Sequence, residues 1–379
     1  MQKKIIALAI AGALAAPALA FADPAVNVYG VLDAWVGDVT ASGTKSQMLV
    51  ASGGLSQSRL GVKAMEDLGN GTKVMGVLEY GVDGTDASGL GGTVARQKLL
   101  GLTGGWGTVA AGYLQTAGYD WATKYDPAAD SSISALQNIT GSASANTGFL
   151  IGNMAIVARA QRALAYLSPD FSGFNFAVNY STALGGAGDL GLPSSASSAS
   201  NALLLSGNYG MGPWSVGLVY AAADNLPQPT IVTPNPVPQF NETEWALGGS
   251  YDFTVTKVSA TYQATKMNIG PGSSNKAYSI SDLTPVGPGS LLLQYAGSSI
   301  DNQFGTGAAL SSANGSSYTV GYLYSLSKMT TAYVAYSGVK NGDHSNAFSV
   351  DNGAVGGAAS SQSLGATSSL VAVGVNYKF

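Results

Sequence analysis

The sequence predicts an all-β fold, a transmembrane antiparallel β-barrel of about 16 strands. Three observations indicate it. Apolar and polar residues alternate along many short segments, and short turns alternate with long polar loops. Of the 379 residues, 51 are Gly and only 10% are charged. Membrane barrels combine these properties because each strand turns one face to lipid and the other to the lumen. Beyond residue 22 we find no run of about 20 apolar residues, the length that a membrane-spanning helix needs.

The first 22 residues are predicted to be a signal peptide rather than part of the fold. Residues 3–4 are basic, residues 5–20 are mostly apolar, and Ala20-Phe21-Ala22 fits a small-x-small cleavage site. The sequence therefore predicts export of the chain and a single transmembrane barrel domain over residues 23–379.

Composition excludes several kinds of site. The absence of Cys excludes disulfides, thiolate zinc sites and Cys nucleophiles, and the single His excludes a site with two imidazole ligands. A formal net charge of −4 disfavours nucleic acid as a partner, because phosphate would be repelled. We therefore expect no metal, no cofactor and no nucleic-acid partner.

The first strands show the alternation most clearly. Over residues 26–36 one face is apolar, with Val26, Val28, Leu32, Ala34 and Val36, and the other carries Asn27, Tyr29, Asp33 and Trp35. The pattern continues over residues 59–64 and 73–82, and the charged side chains share one face. That face is the outside of a soluble sandwich or the lumen of a barrel. Its charged residues are Arg59, Lys63, Lys73, Glu79, Arg96 and Lys98.

Connections alternate in length along the chain. Short turns lie near residues 67–71, 104–105, 169–173, 210–213, 252–253, 285–289 and 327–330. Longer polar stretches lie near residues 37–57, 83–92, 114–158, 182–201, 224–241, 267–275, 298–316 and 340–363. Seven turns and eight loops join sixteen strands. The third loop is too long for a simple connector, and Asp126-Pro127 predicts a short helix over residues 127–137.

Local matches to enzyme motifs are weak. Ser325 to Lys328 fits the S-x-x-K pattern, but the K-T-G and S-D-N elements that accompany it are absent. Gly186, Gly188 and Gly191 fit G-x-G-x-x-G without a preceding βα unit. His344 is an isolated loop residue. The sequence therefore predicts a protein that is not an enzyme.

Several segments spread over the chain resemble one family. They are VNVYGVLDAW at Val26, GGLSQSRLGVKAMEDLGNGTKVMGVLEYG at Gly53, ARQKLLGLTGGWGTVAAG at Ala95, YLSPDFSGFNFAVNY at Tyr166, YSLSKMTTAYVAYS at Tyr324 and the terminal VGVNYKF. These motifs are similar to those of the Gram-negative general porin family, in its β-proteobacterial branch. The resemblance implies a homotrimeric outer-membrane channel of sixteen strands, surrounded by lipid, whose third loop folds into the lumen.

The resemblance also implies a pore constriction. Loop 3, about residues 114–158, would carry Asp120, Lys124, Asp126 and Asp130 into the lumen, opposite Asp33, Arg59, Lys63, Lys73, Glu79, Arg96 and Lys98 on the wall. An acidic loop facing a basic wall would create a transverse field, because low-dielectric walls focus field lines. The chain departs from the family at Tyr113, where members commonly carry Arg. The alternative is that loop 3 lies outside and that these charges are ordinary solvated ones.

The function predicted first is that of a general diffusion porin, which lets small hydrophilic solutes and ions cross the outer membrane passively. One alternative is a plugged structural or adhesive barrel. Another is a solute-specific channel, which would usually show an aromatic slide inside the lumen. The sequence leaves the solute and the choice between cations and anions open.

Overall fold

The computed structural model describes residues 25–85, 95–141, 149–151, 159–183, 201–227, 239–268, 273–302, 311–353 and 363–379. Among these residues, no helix is both long and apolar enough to cross a membrane. The predicted signal peptide and the glycine pattern at residues 186–191 lie outside the described residues.

Strands make up most of the described chain. They are β1 (Ala25–Ala41), β2 (Gln47–Ser52), β3 (Arg59–Gly69), β4 (Thr72–Gly81), β5 (Ala95–Gly104), β6 (Gly107–Gln115), β7 (Arg159–Leu167), β8 (Phe174–Ala183), β9 (Asn201–Met211), β10 (Trp214–Pro227), β11 (Gln239–Asp252), β12 (Lys257–Met267), β13 (Ser273–Val286), β14 (Gly289–Asn302), β15 (Ser311–Ser325), β16 (Thr330–Asn341) and β17 (Thr367–Lys378). From β3 onward, each strand pairs with the next one in the chain, and every pairing is antiparallel.

The sheet closes on itself because β1 pairs with β17 over residues 31–41 of β1. The other edge of β1 is shared, since β3 pairs with residues 25–31 and β2 pairs with residues 34–39. Strands β2 and β3 therefore occupy one position, and the described strands form a closed barrel of sixteen positions. The predicted fold class is confirmed. Strand β2 lies within the predicted first loop, where alternation did not reveal it.

The two faces of β1 show how sequence alternation becomes an inside and an outside. Val26 and Val28 are each 63% exposed on the outer face, whereas Asp33 and Trp35 are each 2% exposed on the inner face. An apolar outer face of this kind is stable only against lipid, because in water it would expose a large continuous apolar surface. The membrane is therefore the environment for which the outer face of the barrel is built.

Exposed aromatic side chains form a band around part of the outer surface. Neighbouring rings contact each other, with centroids 5.3 Å apart for Trp245 and Tyr262 and 5.8 Å apart for Tyr318 and Tyr336. Such bands lie at the level of the lipid headgroups, where the ring of Trp or Tyr contacts apolar lipid and its N–H or hydroxyl group contacts the polar interface. The band consists of the exposed Trp245, Tyr278, Tyr295, Tyr318 and Tyr336 and the half-buried Tyr262.

Loop 3 follows β6, and its described part contains two helices inside the barrel. Helix α1 (Ala117–Tyr125) begins at Thr116, whose hydroxyl oxygen accepts from the Tyr119 backbone N–H at 3.3 Å. Helix α2 (Ala135–Thr140) begins at Ser134, whose hydroxyl accepts from the backbone N–H of Gln137 at 3.1 Å. Ser and Thr at these positions satisfy backbone donors that the first turn leaves free.

The helix predicted over residues 127–137 is wrong as a single element. The Asp126 carboxylate accepts from the Ala128 backbone N–H at 2.9 Å, which makes a local turn after α1 rather than a helix start. Asp130 then adopts a φ of 60°, in the left-handed region, which a right-handed helix cannot include. Only the last three residues of the predicted range belong to α2.

Two apolar clusters fix loop 3 against the inner wall. Helix α1 packs on β7 to β12, where Gly217 and Gly248 leave room for the ring of Tyr125; a Cβ at Gly248 would lie 2.4 Å from that ring. The second half of the described loop packs on β13 to β17 and β1, together with Phe348 and Val350 of the last loop. Loop 3 therefore lies inside the barrel, as the resemblance implied.

Candidate pore constriction

Arg96 is at the centre of a charged cluster that joins the wall to loop 3. Its Nε donates to Glu79 Oε1 at 2.8 Å, and its Nη2 donates to Asp130 Oδ2 at 2.7 Å. The Tyr119 hydroxyl donates to the same Asp130 oxygen at 3.1 Å. These groups are all buried, so the contacts are shielded from bulk water and salt.

Arg59 lies beside this pair and remains partly open to the lumen. Its side chain is 23% exposed, with Nε 4.0 Å from Glu79 Oε2 and Nη1 3.8 Å from Asp130 Oδ2. Tyr29 donates its hydroxyl to Glu79 Oε2 at 2.9 Å. Each carboxylate thus faces two guanidinium groups.

A third guanidinium, that of Arg159, was missed by sequence reasoning. Its Cζ lies 5.1 Å from the ring centroid of Tyr119, and its buried Nε and Nη2 have no hydrogen-bond partner among the described residues. Arg159 is the first residue of β7, at the boundary of the long loop, where the alternation is too short to assign a face. The sequence signal that could have identified Arg159 is its position directly after loop 3, at the start of β7.

The three arginines determine the ionisation of Asp130. Burial alone would raise the pKa of this carboxyl, but the positive charges of Arg96, Arg159 and Arg59 outweigh burial and hold the pKa below its usual value. Asp130 is therefore ionised at neutral pH. The cluster combines three positive and two negative charges, a formal net charge of +1.

Lys98 does not face the lumen, although the sequence placed it on the wall. Glu79 is opposite Gln97 and Tyr80 is opposite Ala95, so one extra residue of β5 forms a β-bulge at this point. The bulge turns both Arg96 and Gln97 inward and shifts the alternation. Lys98 is exposed on the outer surface, with its Nζ 5.7 Å from the ring centroid of Tyr80.

Lys63 and Lys73 face inward but lie away from the cluster, towards the end with the short turns. Lys63 is four residues from Arg59 along β3, which corresponds to about 13 Å of strand, and Lys73 is six residues from Glu79 along β4, about 20 Å. The structure therefore places both lysines in the vestibule beside the constriction rather than within it.

Asp33 is a structural anchor for the first loop. Its Oδ1 accepts from the Gly54 N–H at 2.8 Å and from the Tyr333 hydroxyl at 2.7 Å. Its Oδ2 accepts from the Leu55 N–H at 3.2 Å and from Asn376 Nδ2 at 2.8 Å. With both oxygens occupied, the carboxylate holds loop 1 to the wall, and it forms no ion pair with the arginines of the cluster.

Asp126 has a similar anchoring role within loop 3. Besides the Ala128 N–H, it accepts from Gln294 Nε2 at 2.6 Å and from the Ser134 hydroxyl at 2.5 Å. Burial raises the pKa of this carboxyl, although these hydrogen bonds oppose the rise. Asp126 fixes α2 to β14 and does not contact the arginines.

Asp120 and Lys124 lie on α1, after Tyr119. Asp120 is in the first turn and is half-buried. Lys124 is also half-buried; its Nζ lies 3.5 Å from Asn208 Oδ1 and 5.4 Å from the ring centroid of Tyr125. Of the eleven residues that the sequence proposed for the constriction, the structure brings together Arg59, Glu79, Arg96 and Asp130.

Comparison with known proteins agrees with this architecture. The profile of the family described as Gram-negative porin matches residues 7–344. Outer membrane porin protein 32 of Delftia acidovorans is 29% identical over 357 residues, which cover 91% of each chain. An outer membrane porin protein of Bordetella pertussis is 27% identical over 289 residues, 70% of each chain.

The solved structures show the same barrel. The anion-selective porin from Comamonas acidovorans superposes with a TM-score of 0.72 at 26% identity, over 94% of this chain and 100% of that one. In vitro folded OmpT of Vibrio cholerae superposes with a TM-score of 0.65 at 15% identity, over 96% of this chain and 100% of that one, and shares the fold. The chain belongs to the Gram-negative porin family and is an outer-membrane porin.

Proposed function

We propose that this porin is a passive diffusion pore with a preference for anions, which admits small hydrophilic solutes and performs no bond chemistry. The observation that carries the proposal is the cluster around Arg96, where three guanidinium groups face two carboxylates. A net positive charge at the narrow part of a pore raises the local concentration of anions, because low-dielectric walls focus the field. The name of the Comamonas acidovorans porin assigns anion selectivity to that relative.

The lysines of the vestibule support the same preference. Lys63 lies on the inner face of β3, and Lys378 and Arg59 flank Val31 in one row of paired residues across β17, β1 and β3. Lys257 faces inward on β12. The chain as a whole is acidic, with a formal net charge of −4. Charges beyond a Debye length of about 10 Å at 0.1 M salt act weakly on an ion in the pore, so the local charges dominate.

The test is a single-channel recording of purified protein in a salt gradient, together with liposome swelling. We expect a reversal potential with the sign of anion preference, and swelling in monosaccharide solutions. A reversal potential of the opposite sign would refute the anion preference. Swelling that saturates with one sugar would identify a solute-specific channel instead.

A plugged structural or adhesive barrel is the second candidate, and one observation favours it. The described parts of loop 3 pack against both halves of the inner wall, and Arg96 bonds directly from the wall to Asp130 of the loop. Folded protein that shows neither conductance nor swelling would establish this candidate and exclude the diffusion pore.

We also propose that the mature protein begins near Asp23 and assembles as a homotrimer. OmpT of Vibrio cholerae has been solved in a trimer form, which makes three copies the first expectation for this barrel. We expect protein from outer membranes to have a native mass of three chains, each lacking residues 1–22. Native mass spectrometry measures both properties at once, and monomers or uncleaved chains would contradict the corresponding part of the proposal.

The pH dependence of selectivity should reveal Lys124. Burial, and then the positive charge of Lys257, lowers the pKa of the Lys124 ammonium group to about 8. As the pH rises through about 8 this side chain loses its proton and the lumen loses a positive charge. We therefore expect the anion preference to weaken between pH 7 and 9, by about fivefold for one charge at about 4 Å in water.

Replacement of Lys124 separates this effect from general titration. Lys124→Gln should lower the anion preference at pH 7 and remove the change between pH 7 and 9. Lys98→Gln removes the same charge from the outer surface and should leave the change intact. A pH profile that survives in Lys124→Gln would show that another group titrates.

A further inference from the structure

Loop 3 returns towards β7 through a short segment that lies against β11 and β12. Leu150 and Ile151 are buried there, and Ile151 has no exposed surface. Ile151 also packs beside Gly118 at the start of α1, where an added Cβ would lie 3.5 Å from Ile151 Cα. The position of this segment therefore affects the position of α1.

Two wall side chains bind the backbone of this segment. Glu244 Oε2 accepts from the N–H of Leu150 at 2.5 Å and from the N–H of Ile151 at 2.8 Å. Gln263 Nε2 donates to the carbonyl oxygen of Ile151 at 2.9 Å and to Glu244 Oε1 at 3.2 Å. Glu244 is 1% exposed and Gln263 has no exposed surface.

We propose that Glu244 and Gln263 act as a clamp that positions the return of loop 3, and that the clamp requires Glu244 to be ionised. A carboxylate can accept both backbone N–H groups, whereas a protonated acid also presents a hydroxyl hydrogen to the donors around it. Hydrogen bonds to a charged group are stronger than neutral ones, and a buried N–H without a partner destabilises its segment. Neither residue contacts a passing ion in this arrangement, so both are positioning residues.

Glu244 has one titratable neighbour among the described residues packed against it. On its own strand, Glu242 lies two residues away on the same face and accepts from the Thr265 hydroxyl at 2.8 Å. The residues paired with Glu244 on β10 and β12 are Ala221 and Thr265, which are neutral. Among the described residues packed against Glu244, Glu242 is therefore the titratable group. Protonation of Glu244 adds a hydroxyl hydrogen among the donors around it, so acid should release the clamp.

The clamp can be tested through the chemistry of one introduced thiol, because the chain has no Cys. In an Ile151→Cys reporter, the thiol is buried and should react slowly with a water-soluble maleimide at pH 7.5. Adding Glu244→Gln should accelerate labelling about tenfold, in line with the loss of a charge-assisted pair of hydrogen bonds. Glu242→Gln is the matched control: it changes the same residue type on the same face, and it should leave labelling slow.

A pH profile distinguishes the clamp from a merely structural effect of the substitution. After incubation at lower pH and labelling with an acid-tolerant disulfide reagent, the reporter should become more reactive while the Glu244→Gln reporter shows no pH dependence. At pH 7.5, the reporter with Gln263→Leu should be labelled faster than the reporter alone and more slowly than the reporter with Glu244→Gln. Equal labelling of the reporter with and without Glu244→Gln would overturn the proposal, and so would an equal acceleration by Glu242→Gln.

The readout is independent of ion flow. An effect of the clamp on conduction rests on the proposed pore function. The clamp itself does not, because labelling rates are measured on folded protein whether or not it conducts. A second reporter, Leu150→Cys, repeats the test if Ile151→Cys does not fold. A non-conducting barrel with a protected thiol would leave the clamp intact and refute the pore.

Discussion

The double replacement of Arg59 and Arg159 by Gln is expected to reverse the selectivity of the pore from anions to cations. It removes two positive charges from the cluster and changes its formal charge from +1 to −1. Arg96 is retained, so Glu79 and Asp130 each keep their ion pair with its guanidinium group. Because one charge at about 4 Å in water is worth about 1 kcal/mol, the ratio of anion to cation permeability should fall about tenfold or more.

Reversal potentials in a salt gradient measure this change. The matched control is Lys98→Gln, which removes a basic residue of β5 that lies on the outer surface, and it should leave the reversal potential unchanged. Raising the salt concentration should reduce the effect of the double replacement through screening. If Lys98→Gln and the double variant shift the potential equally, the cluster does not line the path of the ions.

The single substitution Arg159→Gln separates the effect of lost charge from the effect of a lost ion pair. Arg59 and Arg96 each lie within 4.0 Å of a carboxylate oxygen, whereas Arg159 has no such ion pair among the described residues. Its removal therefore takes away charge without leaving a carboxylate unpaired. A shift in potential with a smaller loss of thermal stability than Arg96→Met causes is the expected signature of this substitution.

Alternation along the strands was sufficient to predict the barrel, because each strand must satisfy lipid on one side and water on the other. It also placed Arg59 and Glu79 on the inner face correctly. It failed at Lys98, since one inserted residue in β5 reverses the face of every residue after it. A bulge depends on how two strands pair, and nothing in the sequence of one strand marks it.

The interior of loop 3 was less predictable than its length. Asp126-Pro127 has the residue types of a helix start, but Gln294 and Ser134 bind the Asp126 carboxylate in a turn, and those contacts exist only in the folded barrel. The same holds for Asp33, whose four partners come from the first loop and from the last two strands. Sequence identified these acids as inward-facing, and only tertiary structure separates anchors from residues of the constriction.

Arg96→Met is expected to cause the largest loss of stability of any single substitution in the cluster. It leaves the Glu79 and Asp130 carboxylates buried at 5% and 7% side-chain exposure without their closest cation. Breaking a buried ion pair from one side typically costs about 3–5 kcal/mol. Arg59→Met is the control, because its longer contacts of 3.8 and 4.0 Å and its 23% exposure predict a loss of about 1 kcal/mol or less. Urea unfolding of detergent-solubilised protein, followed by Trp fluorescence, measures both.

The pH dependence of this loss identifies Asp130 as the residue responsible. Arg96 contributes to holding the pKa of Asp130 below its usual value, so their interaction adds stability above the usual carboxyl pKa of about 4 and loses it as the pH falls further. The difference between the native protein and Arg96→Met should therefore narrow below about pH 4. Adding Asp130→Asn to Arg96→Met should recover part of the stability at neutral pH, because one of the two unpaired carboxylates is then neutral. If the double variant is no more stable than Arg96→Met, the destabilisation comes from lost packing around the arginine rather than from an unpaired Asp130.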